Sequence, residues 1–71
     1  MLIKQKREQL GLKQAELASI MNVTQTSIAK WETEQAIPRI DKLIKLAKIF
    51  NCTIDELLSK EEWIWQENTR I

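Results

Sequence analysis

Apolar residues along the chain fall in sets spaced three or four apart, and each set is closed by a polar or turn-forming residue. Leu17, Ala18 and Met21 make one set, Ile28 and Trp31 the next, and each fits a single helix face. Asn22 falls between them, where a left-handed backbone would end the first helix. Val23 follows as an inward peg, and the Thr24 hydroxyl is placed to cap the second helix. Upstream, Ile3 and Leu10 mark an apolar stripe among Lys4, Lys6, Arg7 and Glu8; Gly11, the only glycine, closes that helix and Leu12 turns inward. Lys13 precedes a helix starting at Gln14 whose Glu16 holds the acid position of a capping box. Lysine cannot accept a backbone bond, so only half of that box is expected.

Downstream of Trp31-Glu32, the connection Thr33–Ile37 ends at Pro38, which lacks an amide donor and fits before or at a first helical turn. A longer helix follows, with Ile40, Leu43, Ile44, Ala47 and Phe50 as one wide apolar face. Lys42, Lys45 and Lys48 step around its other side, the pattern of a solvated face. Asn51 ends it, and Cys52 reads as a small core residue. Thr53-Ile54-Asp55-Glu56 is a full capping-box sequence opening a last short helix through Leu57 and Leu58. The pattern predicts five helices joined by tight turns.

The pair of helices around Asn22 is therefore a helix-turn-helix. Its second helix keeps Ile28 and Trp31 for the core and offers Gln25, Thr26, Ser27, Lys30 and Thr33 outward. That face is rich in hydrogen-bonding groups rather than merely charged, which suits the floor of the DNA major groove. An ordinary exposed face of a helical hairpin would carry the same residue types, so the face alone does not decide. Trp31 could stack on a base, but its spacing from Ile28 assigns it to the core.

Length and charge narrow the picture. Seventy-one residues make one small domain, near the lower limit for a single core, and dimerisation would help it. One cysteine and no histidine exclude an internal disulfide and an ordinary zinc site, and fit a reducing, cytoplasmic setting with no cofactor and no metal. No apolar run approaches the roughly 20 residues of a membrane span, and the N-terminal segment is charged and amphipathic, unlike a signal peptide. An enzyme is not expected: there is no histidine, the lone thiol has no base, and the carboxylates sit at caps or scattered surface positions. Net charge is +1, yet residues 1–60 carry ten Lys/Arg against seven Asp/Glu while residues 61–71 carry one against three. The globular part is mildly basic. In the tail, Trp63-Ile64-Trp65 shows no helical stripe and hints at an extended segment, either folding back over the core or serving an interface.

One series of residues runs in register through the chain: Gly11-Leu12, Gln14, Glu16-Leu17-Ala18, Val23-Thr24-Gln25, Ser27-Ile28, Trp31-Glu32, Pro38, Leu43, Leu46-Ala47 and Ile54-Asp55-Glu56-Leu57. It resembles the phage-repressor and Cro type (XRE-type) of helix-turn-helix regulators. The resemblance implies an all-α, five-helix lambda-repressor-like DNA-binding domain over 1–60 and a short C-terminal tail over 61–71. By position it implies base contacts from Gln25, Thr26 and Lys30, with glutamine suited to adenine, lysine to guanine and the threonine methyl to thymine. Phosphate contacts would come from Gln14, Ser27, Thr33 and Arg39, with Lys13 beside them, and Arg7 with Glu32 would form a structural ion pair. Members often have glycine where this chain has Asn22, Glu34 and Asn51; asparagine tolerates a left-handed backbone, whereas Glu34 does so poorly, so the 33–37 loop is expected to differ in shape.

The function implied is that of a sequence-specific regulator of double-stranded DNA, a repressor acting as a homodimer on a two-fold symmetric operator through a recognition helix at 24–33. The dimer or partner interface would lie at Ile54, Leu58, Trp63 and Trp65, and Ile20, polar in most members, would lie under the tail or in an interface. The length leaves no room for a ligand-sensing or self-cleaving domain, so control is expected from concentration, a partner protein or turnover. The alternative is an antitoxin-like or other protein-interaction module that uses the tryptophan-containing tail.

Overall fold

The computed structural model describes residues 1–59. They form five helices and, among the described residues, no strand: α1 (Ile3–Gln9), α2 (Gln14–Met21), α3 (Gln25–Glu32), α4 (Ile40–Phe50) and α5 (Ile54–Leu58). α2 packs most extensively on α3; α4 touches α1, α2 and α5, and α1 also reaches α3.

Four helices stop in the same way. A residue one or two positions past each takes a positive φ: Gly11 at 71°, Asn22 at 58°, Glu34 at 62° and Asn51 at 54°. The next amide then reaches back over the last turn, Leu12 to the Arg7 carbonyl, Val23 to Ala18, Gln35 to Lys30 and Cys52 to Ala47, at 2.9–3.1 Å. This satisfies carbonyls that the helix end leaves open. Glu34 therefore departs from expectation: it occupies the left-handed position itself, and the loop keeps the turn that a glycine would give. A side chain there costs about 1 kcal/mol, and the Glu34 carboxylate accepts a 2.9 Å bond from the N-terminal ammonium.

The helix starts show where capping worked. Thr24 Oγ1 accepts the Ser27 amide at 3.1 Å, and Thr53 Oγ1 accepts the Glu56 amide at 3.0 Å. Such caps contribute about 1 kcal/mol each. The reciprocal half of the Thr53 box does not form, because the Glu56 carboxylate bonds Lys6 on α1 instead. At α2 the opposite half forms: the Lys13 amide donates to Glu16 Oε1 at 2.7 Å, and the Lys13 side chain makes no cap bond.

The core joins Leu17 and Met21 of α2, Ile28 and Trp31 of α3, Leu43, Leu46 and Phe50 of α4, and Ile3 and Leu57 from the two ends. Truncating a fully buried Leu17, Ile28 or Leu46 to alanine would cost about 2–5 kcal/mol. Val23, Leu12 and Cys52 are half-buried against this cluster. Three expected core positions are not in it. Leu10 is 52% exposed, because α1 ends at Gln9 and the chain turns away at Gly11; the buried partner of Ile3 is Arg7, four residues on. On α4, Ile40 and Ile44 are exposed and Leu46 takes their place inside. The buried set Leu43, Leu46, Ala47 and Phe50 is centred so that Ile40 and Ile44 are rotated roughly 60–100° to one flank.

Candidate nucleic-acid interface

α3 is held from behind by its two buried residues, Ile28 and Trp31. Three residues apart, they fix the rotation of the helix, and the opposite side is left to Thr26, Lys30 and Thr33 at intervals of four and three. Thr26, Lys30, Thr33 and Gln25 are exposed; Ser27 is half-buried beside the cap, its hydroxyl 3.0 Å from that of Thr24. The Thr33 hydroxyl donates to the Ala29 carbonyl at 2.9 Å, so its only proton is already used within the helix end.

The N-terminal residue of α2 meets the first residue of α3. Gln25 Nε2 donates to Gln14 Oε1 at 3.3 Å, and Gln14 Nε2 donates to Glu32 Oε1 at 3.0 Å. Glu32 in turn accepts from Arg7, whose Nε lies 2.6 Å from Oε2 and whose Nη2 lies 3.3 Å from Oε1. Arg7 Nη1 donates to the Leu12 carbonyl at 2.7 Å. The ion pair is nearly dry, its side chains 10% and 3% exposed. Its hydrogen bonds to Glu32 hold the Arg7 guanidinium above its ordinary pKa despite burial, so Arg7 stays charged. One continuous chain of bonds thus runs from α1 through the end of α3 and the start of α2 to the start of α3.

Lys13, Lys30 and Arg39 are exposed cations at three further points: before α2, in the last turn of α3 and at the start of α4. With Gln14 they give the surface separate donors for acidic oxygens around a polar helix face. Among the described residues, no cluster of His, Cys, Asp or Glu is arranged to hold a metal. Burial and then the Glu56 carboxylate push the Cys52 thiol up, which keeps it protonated and poorly nucleophilic.

The sequence profile of a helix-turn-helix family matches residues 3–57, a span that takes in α1 to α4 and most of α5. The chain belongs to that family. The curated proteins it resembles are named as HTH-type transcriptional regulators, one of them an activator, and as phage repressors. Over 62 residues the chain is 42% identical to the HTH-type transcriptional activator BcrR of Enterococcus faecalis, covering 87% of this chain and 30% of that protein. It is 32% identical to the HTH-type transcriptional regulator ImmR of Bacillus subtilis, over 84% of this chain and 47% of that protein. It is also 29% identical to the cryptic phage CTXphi transcriptional repressor RstR of Vibrio cholerae, over 92% of this chain and 56% of that protein. The chain thus spans between under a third and somewhat over half of these relatives. No solved structure gives a significant match.

Against this family background, the structure joins Gln14, Gln25, Glu32 and Arg7 into one network and leaves Thr26, Lys30, Lys13 and Arg39 outside it. The spacing of residues along the chain gave no sign of the Gln14 bonds, since its partners lie 11 and 18 residues away, at the two ends of α3. Ile54 is half-buried and Leu58 exposed. Trp63 and Trp65 lie outside the described residues. No helix among the described residues is long and apolar enough to cross a membrane.

Proposed function

We propose that the chain is a repressor that binds a two-fold symmetric operator as a homodimer, with α3 in the major groove of each half-site. Gln25, Thr26 and Lys30 reach base edges; Gln14, Lys13, Ser27 and Arg39 hold phosphates and fix register. The observation that carries this is the outer face of α3: exposed hydrogen-bonding side chains on a helix whose rotation Ile28 and Trp31 fix, with Gln25 braced by Gln14. Gln14 retains one amide hydrogen for a phosphate oxygen after serving Glu32. Thr33 contributes least, because a phosphate accepts but does not donate, and the hydroxyl would have to release Ala29.

A single module of this size makes few base contacts, and pairing doubles them. Exposed Ile44 and Leu58, with half-buried Ile54, support a second copy at the α4–α5 end, where one shallow groove is lined by Ile44, Ala47, Lys48, Asn51, Cys52 and Ile54. Repression needs only occupancy of the duplex, whereas activation needs a further surface for the transcription machinery.

Selection of bound duplexes from a random pool, followed by salt titration of the enriched sites, tests this reading. An inverted repeat with half-site centres about 10 base pairs, ~34 Å, apart is the expected result. Enrichment of a single unrepeated site would remove the symmetric dimer, and no enrichment would remove sequence reading altogether.

A further inference from the structure

The bonds behind Gln25 have a direction. Glu32 is an ionised carboxylate held by Arg7, and a carboxylate only accepts. The amide of Gln14 must therefore turn its nitrogen toward Glu32, at 3.0 Å, which leaves its oxygen facing Gln25. That oxygen takes one of the two amide hydrogens of Gln25, at 3.3 Å. Gln25 is left with its own oxygen and one hydrogen for whatever lies before it.

We infer that the Arg7–Glu32 pair sets the donor and acceptor pattern that Gln25 presents to DNA, so that Glu32, though turned away from the duplex, is a positioning residue for base choice. The inference rests on Gln25 reading a base. Adenine offers the major groove one donor and one acceptor, N6–H and N7, and matches one oxygen plus one hydrogen. Guanine offers two acceptors, O6 and N7, and would need both amide hydrogens of Gln25. One of those is spent on Gln14, so guanine loses a bond that an unrestrained glutamine would give it. The buried pair thus favours adenine over guanine at the base facing Gln25 without touching it.

Reversing the first bond should reverse the last. In Glu32→Gln, Arg7 Nε holds the new amide oxygen at the Oε2 position, and the amide nitrogen takes the Oε1 position facing Gln14, giving up the longer Arg7 Nη2 bond. The Gln14 amide then turns over, donates to the Gln25 oxygen, and frees both Gln25 hydrogens for guanine. Gln14→Met cuts the chain in the middle and leaves the Arg7–Glu32 pair in place, so it retains the fold even if Glu32→Gln proves too unstable to assay.

The experiment uses the duplex enriched by selection, varied at the base pair that Gln25→Ala relaxes, with affinities measured as adenine-to-guanine ratios for wild type and both variants, and melting recorded for each. The adenine preference should fall about tenfold or more in Glu32→Gln and about threefold in Gln14→Met, a part of the discrimination one bidentate contact provides. Loss of a phosphate contact alone weakens all duplexes equally and leaves the ratio unmoved. An unchanged ratio in either folded variant, while Gln25→Ala still relaxes that position, overturns the role assigned to Glu32. If Gln25→Ala relaxes no position, base reading by Gln25 falls, and this inference with it.

Discussion

Lys6 and Arg7 are neighbours on α1, and each reaches a glutamate on another helix, but the two pairs are built differently. Arg7 meets Glu32 of α3 where both side chains are almost fully buried, and Glu32 accepts from Arg7 twice and from Gln14 once. Lys6 meets Glu56 of α5 at the surface, where half of the Glu56 side chain faces water. A planar guanidinium supplies several fixed donors and so occupies Glu32 and the Leu12 carbonyl at once. The ammonium of Lys6 is a point charge on a flexible stem, and its partner is free to exchange it for solvent. The first pair is a junction on which the α2–α3 surface depends; the second tethers α1 to α5, in parallel with the bond from the Leu2 amide to the Leu57 carbonyl.

Removing one member of each pair should separate them, and the largest effect belongs to Glu32. Glu32→Ala leaves the guanidinium buried without its counter-charge and should cost about 3 kcal/mol, read as a lower urea midpoint. Arg7→Met combined with Glu32→Gln removes both charges together and should cost much less. If Glu32→Ala proved as mild as loss of Lys6, burial would not be what distinguishes the pairs.

The consequence for DNA should follow the same division. Gln25→Ala sits at the end of the Arg7 network and should cost about 1–3 kcal/mol at the selected operator, relaxing one base pair per half-site while leaving the urea midpoint unchanged. Arg39→Ala lies outside that network. It should weaken specific and non-specific duplexes alike and flatten the salt dependence of binding. A change of preferred sequence in Arg39→Ala would reassign that residue to the bases.

Glu34 offers a smaller test at the C-terminal end of α3. Its left-handed backbone is paid for in strain, so Glu34→Gly should raise stability by about 0.5–1 kcal/mol, offset in part by the lost contact with the N-terminal ammonium. A decrease would mean that this contact outweighs the strain.

Local spacing made much of this fold legible. Leu17, Met21, Ile28 and Trp31 identified the inner faces of α2 and α3, and Asn22, Asn51, Thr24 and Thr53 marked helix ends, because these signals act within one turn. Leu10, Ile40 and Ile44 were misplaced because periodicity gives a stripe but not its exact centre or how far neighbouring elements cover it. Leu46 was inside for the same reason that Ile44 was outside. In the interface, the exposed face of α3 was readable from its polar residues, and Arg7 with Glu32 from resemblance. The bonds of Gln14 were not, since they form only when α2 and α3 are packed together.

The mildest change, Lys6→Met, tests the other side of the comparison. Its hydrogen bond to Glu56 holds the Lys6 ammonium above its ordinary value near 10.5, with desolvation working against it. A raised value in the folded state means a stabilising contribution that is full below that ordinary value and is lost as pH rises through the folded one. Wild type and Lys6→Met should therefore differ slightly at neutral pH and low salt, and converge both in high salt and at strongly alkaline pH. The Cys52 thiol, also held above its ordinary value near 9.0, makes both proteins less stable as pH rises past that point. Because the thiol stays in both chains, its share largely cancels from their difference, apart from the small pull that Lys6 itself exerts on it. Operator affinity should not change, since Lys6 bonds to α5 and takes no part in the network that ends at Gln25. A Lys6→Met protein that kept its stability but lost base discrimination would show that the α1–α5 contact, and not the Arg7–Glu32 junction alone, orients the recognition helix.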